Sequence, residues 1–171
     1  MSEILIEKYN EARPALFKKE QKLLLDSLSI PVKVHHIGST SIPGLGAKPI
    51  IDILLEVDEF DALDRASIVF ESLGYECMGE FGIPDRRYFR KGGERRTHHV
   101  HAFIRGSIGA HRHLAFRDYL RCHAEVANEY DAFKRLVAGT CNGSSDVYCD
   151  GKAEFVSTHE RRALEWAAIR I

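Results

Sequence analysis

No two cysteines in this chain fall at a spacing that metal ligands or a disulfide framework would use. Cys77, Cys122, Cys141 and Cys149 are scattered, with no CxxC pair, which argues against a zinc ribbon and a secreted disulfide scaffold alike. They read as reduced thiols, and the expected location is the cytoplasm. No apolar run approaches the roughly 20 residues of a membrane span. The polar start is no signal peptide, so a membrane partner is not expected. Charge of one sign is also missing: the net value is −1 over 171 residues, leaving no general field to draw nucleic acid. A local basic patch at Arg86-Arg87, Arg90-Lys91 and Arg95-Arg96 is the one exception. Repeats, low-complexity tracts and linkers are absent too, which leaves one domain over residues 1–171, long enough for a real core.

What is present is an alternation of strands and helices. Ile4 and Ile6 alternate with polar residues and predict a short edge strand. Pro14 suits a first helical turn, after which Leu16, Leu23, Leu24 and Leu28 supply an apolar face until Ser29-Ile30-Pro31 stops the helix. Val32, Val34 and Ile37 make a strand. Residues 50–57 make another, apolar on both faces as a helix-covered strand should be. Residues 58–61 cap a helix running to about Leu73, ended by Gly74. Residues 75–81, 87–90 and 97–103 predict three strands, with turns at Ile83-Pro84-Asp85 and Gly92-Gly93-Glu94. After Gly106 the spacing turns helical, with a break at Asn142-Gly143-Ser144-Ser145 before a last amphipathic helix. The expectation is an α+β fold, a mixed sheet of about five strands with helices packed on it.

The chemistry concentrates in residues 36–56. An apolar strand ends at Gly38-Ser39, a loop rich in Gly, Pro and hydroxyls follows, and a second apolar strand carries Asp52 and Glu56. A carboxylate among Ile and Leu is costly unless something positive faces it. A divalent metal beside a phosphate-cradling loop would answer that need. Gly38 permits close approach, Ser39, Thr40 and Ser41 offer hydroxyls, and Lys48 offers a point charge. Asp52, Leu54 and Glu56 share one side of the strand, with Glu56 roughly 7 Å beyond the middle position. The structural alternative is a plain turn, with Asp52 paired to a basic neighbour.

The run Gly38-Ser39-Thr40-Ser41-Ile42-Pro43-Gly44-Leu45, then Ala47-Lys48-Pro49-Ile50-Ile51-Asp52-Ile53, resembles the GrpB-like family, also called UPF0157. The likeness continues through residues 97–101, 114–121 and 130–136 to Lys152, nearly the whole chain. It implies a nucleotidyltransferase fold, in which the Gly-Ser pair and an Asp-x-Asp/Glu motif mark the nucleotide and metal site. Gly38 and Ser39 match the first, and Asp52 matches the first motif carboxylate. Leu54 departs from the second. A domain similar to this family also occurs fused to dephospho-coenzyme A kinase.

Thr97, His99 and His101 share one strand face. The two imidazoles are candidates to hold a metal together with Asp52, and imidazole would favour Zn or Mn over Mg. The alternative is half-buried histidines bonded to backbone or carboxylates. A cupin-like use of His-x-His lacks the all-β repeat it needs. Further candidates for substrate contact are His36, Arg87, Arg117, Arg121 and Lys152. Arg87 could equally guard a hairpin edge, and Arg121 could pair with Asp118 along a helix. His111 and His113 read as a capping segment, and Phe116, Tyr119, Tyr130 and Phe133 as core.

Three functions follow as expectations. The first is metal-dependent nucleotide binding, with nucleotidyl transfer to a small-molecule or protein acceptor; Asp52 and Glu56 would be the catalytic carboxylates and Mg, Mn or Zn the cofactor. The second is a nucleotide- or coenzyme A-related binding module without catalysis. The third is a phosphoesterase with a histidine-held metal.

Overall fold

The structure, a computed structural model, describes residues 3–170. Five strands form one mixed sheet: β1 (Val32–Ile37), β2 (Ile51–Val57), β3 (Tyr75–Cys77), β4 (Arg87–Lys91) and β5 (His98–Ile104), in the order β1-β2-β5-β4-β3. Only β2 and β5 are parallel; the other pairs are antiparallel. Six helices complete the fold: α1 (Arg13–Ser27), α2 (Phe60–Arg65), α3 (Ser67–Ser72), α4 (Ile108–Cys122), α5 (Ala124–Thr140) and α6 (Ser145–Ile169). None is long and apolar enough to cross a membrane among the described residues.

Strand alternation divides the side chains between two layers. One face carries Val34, Ile53, Leu55, Val100, Ala102 and Phe89, packed against α1, α2 and α3. On the other, Ile37, Leu54 and Phe103 meet Ala110 and Leu114 of α4, and Tyr88 packs beside the His99 and His101 rings. Elsewhere that face carries Asp52, Glu56, His99 and His101. A second core joins α4, α5 and α6 around Tyr119, Leu120, Tyr130 and Ala163, and it includes Ile42 and Leu45 from the segment after β1. Those two side chains plug the glycine-rich loop into the helical layer, so the loop is held at both ends.

Several boundaries differ from expectation. Ile4 and Ile6 form no sheet strand; the segment makes one bridge, Glu7 to Ala47. On α1 the buried face is Arg13, Phe17, Glu20 and Leu24, while Leu16 and Leu23 lie exposed. Buried Glu20 is tolerated because it accepts from the Tyr75 hydroxyl at 2.7 Å and Lys91 Nζ at 2.8 Å. The expected single helix after β2 is two short ones meeting at Ala66. The strand expected over residues 75–81 stops at Cys77, because Gly79 and Phe81 take left-handed backbone. Buried Arg86 stabilises that turn by donating to the carbonyls of Glu80 and Phe81. His111 and His113 lie within α4, whose N-cap is Ser107.

Candidate functional site

Antiparallel register places Ile37, the last residue of β1, opposite Asp52 near the start of β2. Gly38 therefore begins the loop directly beside the Asp52 side chain. Its backbone sits at φ 71°, ψ −175°, a region essentially reserved for glycine. A Cβ there would lie 2.6 Å from Asp52 Oδ2 and 3.0 Å from Asp52 Cβ. The next residues, Ser39–Ser41, form one 3-10 turn closed by Ser41 N–H and Oγ–H donating to the Gly38 carbonyl at 3.0 and 2.6 Å.

Parallel register then brings β5 alongside, with His99 opposite Asp52 and His101 opposite Leu54. Asp52 Oδ1 lies 3.4 Å from His99 Nδ1 and 3.6 Å from His101 Nε2. Burial alone would raise this carboxyl's pKa, but hydrogen bonding and electrostatic attraction from His101 and His99 outweigh it and hold the group well below the usual carboxylate range. Arg86 Nη1 stands 3.4 Å from His101 Nδ1. A guanidinium only donates, so this contact favours the ring proton on Nε2, facing Asp52. His113 of α4 closes the group, its ring centroid 5.5 Å from that of His101, and burial lowers its pKa to about 3.

The helices complete a small cavity of about 120 Å³ in front of the turn. Gly38, Ser39, Asp52, Arg117, Tyr130 and Lys152 are among its lining residues. Lys134, fully buried on α5, donates to Ser39 Oγ at 2.8 Å and to the Gly46 carbonyl; burial lowers its ammonium to about 7. Lys152 lies over the Tyr148 ring at 4.7 Å, and burial lowers its pKa as well.

The sequence candidates thus divide. Gly38, Ser39, Asp52, His99, His101, Arg117 and Lys152 converge. Thr40 and Ser41 belong to the same turn, but their hydroxyls are engaged there, Thr40 Oγ1 with His36 Nε2 at 2.9 Å and Ser41 with Gly38. Lys48 stacks over Tyr148 at 4.6 Å, near Lys152. Glu56 is not brought to Asp52: one oxygen meets His35 Nε2 at 2.8 Å and the other accepts from Gly106 N–H at 3.3 Å. Arg87 points to the opposite face and forks onto Asp64 at 2.8 and 3.0 Å. Arg121 does not pair with Asp118; it donates to the Ser41 carbonyl at 3.0 Å. Sequence reasoning missed Lys134, although its place four residues after Tyr130 and three before Val137 sets it on the buried face of α5. It also read Tyr130 as core alone, whereas the ring walls the cavity.

The donor set bears on a divalent metal. Asp52 is the single carboxylate here, and fully buried Leu54 takes the place of a second. Among the described residues no three His, Cys, Asp or Glu side chains are placed to hold a metal between them. The residues therefore do not form a protein-only cage for a resident transition metal. They suit an ion that keeps one protein carboxylate and takes its other ligands from phosphate oxygens and water, the habit of Mg²⁺.

Comparison with known proteins adds four findings. The family model described as GrpB protein matches residues 3–162. The UPF0157 protein YqkA of Bacillus subtilis (strain 168) is 44% identical over 159 residues, covering 92% of this chain and 46% of that protein, so the chain spans about half its relative's length. Among solved structures, the conserved protein GrpB from Enterococcus faecalis superposes with a TM-score of 0.91 at 42% identity, covering 95% of this chain and 99% of that one. A cytoplasmic RNA terminal U-transferase gives a TM-score of 0.51 at 11% identity, over 74% of this chain and 39% of the other. At that identity the likeness is one of fold, and the fold is that of the nucleotidyltransferases.

Proposed function

The chain belongs to the GrpB protein family, and from that premise we propose that it binds the phosphates of a nucleotide at the Gly38–Ser39 turn, with a divalent metal beside Asp52. One observation carries the reading: a left-handed glycine, a serine hydroxyl and a carboxylate meet on the wall of one cavity that Arg117 and Lys152 also line. Gly38 lets phosphate oxygens approach the backbone, where a side chain would collide with Asp52. Ser39 Oγ accepts from Lys134 Nζ and so keeps its own proton to donate. Arg117 and Lys152 balance the remaining negative charge. Asp52 stays ionised and available to a cation. When bound, the metal ion supplies charge neutralisation for the phosphates and activates an acceptor oxygen.

A second reading, binding without transfer, is favoured by Leu54. It is fully buried where a second metal-holding carboxylate would stand, and Glu56 is committed to His35 and Gly106. One experiment addresses both. ATP, GTP, CTP and UTP are titrated calorimetrically with Mg²⁺ or Mn²⁺ into the wild type and Asp52→Ala. Metal-dependent binding that weakens by about tenfold or more in the variant is expected. Failure of every nucleotide to bind refutes the proposal. Binding without pyrophosphate release, across a panel of acceptors, decides for the second reading.

A further inference from the structure

The Gly38–Ser41 turn also walls a second, larger cavity of about 440 Å³, within the size range of small-molecule sites. Its lining includes His36, which projects from the sheet face opposite to that of Asp52, since side chains alternate along β1 and Ile37 is the residue paired with Asp52. Helix α1 contributes Phe17 and Lys18, and α4 contributes Arg117 and Arg121, four residues apart and therefore on one face. No Asp or Glu lines this cavity.

The cationic charge here is only partly matched. Arg117 bonds Asp118 at 2.9 Å and the His36 carbonyl at 3.2 Å. Arg121 donates through Nε to the Ser41 carbonyl at 3.0 Å and enters no ion pair among the described residues. Burial, then the neighbouring Arg117 charge, lower its pKa, and the Asp118 carboxylate that pairs with Arg117 only partly offsets them. His36 adds a flat surface, its ring stacked on Phe17 with centroids 4.7 Å apart and planes 9° apart. Burial, then the Arg121 charge, brings its pKa down to about 4, so at neutral pH it contributes a ring and no charge.

We propose that this cavity binds the phosphate monoester of a small molecule, gripped by Arg121, Arg117 and Lys18. Two forked guanidiniums and an ammonium match a dianion with several acceptor oxygens better than a monoanionic carboxylate. The proposal stands apart from the nucleotide reading, since its determinants other than Arg117 do not line the Asp52 cavity.

The test is calorimetric titration of inorganic phosphate into the full chain at low ionic strength, with acetate as the second probe. Saturable phosphate binding is expected, weakened about tenfold in Arg121→Gln and about threefold in Lys18→Gln, and retained in Lys22→Gln, which removes an exposed α1 charge that lines neither cavity. Lys18 is exposed, so its variant reports on the site even if Arg121→Gln, which frees the Ser41 carbonyl, loses the fold; thermal unfolding of each variant separates those cases. Three outcomes overturn the proposal: no saturable binding, binding unmoved by Lys18→Gln and Arg121→Gln but lost in Lys152→Gln, or acetate binding as tightly as phosphate. Nucleotide titration of Asp52→Ala is a separate readout, so either reading can fail alone.

Discussion

Replacing Gly38 by alanine tests the close approach of loop and carboxylate on which the site depends. Two costs combine. The backbone at φ 71°, ψ −175° is strained for any residue with a Cβ, by about 1–3 kcal/mol. The new methyl would also stand 2.6 Å from Asp52 Oδ2, 3.1 Å from Cγ and 3.0 Å from Cβ. The carboxylate can rotate away, but Cβ is tied to β2, so overpacking adds about 1–3 kcal/mol. A total near 4 kcal/mol corresponds to a fall in Tm of about 8–16 °C for a chain of this length. Gly44→Ala is the control, because its φ is +79° yet nothing lies within 4 Å of the added methyl. It should cost only the backbone term, about 1–2 kcal/mol. Urea unfolding of both variants measures the gap. Adding Asp52→Ala to Gly38→Ala removes the Cγ and Oδ2 contacts and should recover about 0.5–3 kcal/mol beyond additivity. Equal destabilisation by Gly38→Ala and Gly44→Ala, with no recovery in the double variant, would refute the reasoning.

Three further outcomes are expected. Lys134 is buried with its pKa lowered to about 7, so between that value and its unfolded value of about 10.4 the unfolded chain binds the extra proton and stability rises with pH, by up to about 1.4 kcal/mol per pH unit; Lys134→Met should flatten the difference seen in urea unfolding between pH 7 and 9, and parallel slopes for the two proteins would contradict it. Glu56→Ala should destabilise by about 1–3 kcal/mol, because two hydrogen bonds worth about 0.5–1.5 kcal/mol each, from Gly106 N–H and with His35, are lost, while nucleotide affinity measured by calorimetry stays at the wild-type value. Leu54→Asp, which restores the two-carboxylate pattern on paper, puts a charge at a fully buried position among Ile37, Phe103 and Ala110; loss of several kcal/mol is expected, and a melting temperature unchanged without metal would show that the position is less enclosed than its packing indicates.

Much of the site follows from local pattern. Two apolar runs joined by a short glycine-rich loop make a pair of strands, and alternation then sends Asp52 and Leu54 to one face and His99 and His101 to one face of β5. Gly74 and Asn142-Gly143 end elements because left-handed backbone suits them. These rules act within a few residues, so the sequence alone determines them. The specific run from Gly38 to Ile53 likewise carried the family and, through it, the expected fold.

The partners of charged and polar groups were decided only by the tertiary structure. Glu56 looks equivalent to Asp52 along β2, but at the far end of the strand it finds His35 and Gly106 N–H. Arg87 and Arg86 are adjacent in the chain, and alternation sends one to Asp64 while the local turn folds the other against His101. Leu16 and Leu23 fit an apolar helical stripe, yet the face that packs is the one where Glu20 meets Tyr75 and Lys91 from distant strands. Lys134 reaches Ser39 across 95 positions. A hydrophobic pattern records which side of an element is buried, because burial acts on each side chain separately. A hydrogen bond or ion pair needs two groups at one place, and only the assembled sheet and helices supply that place.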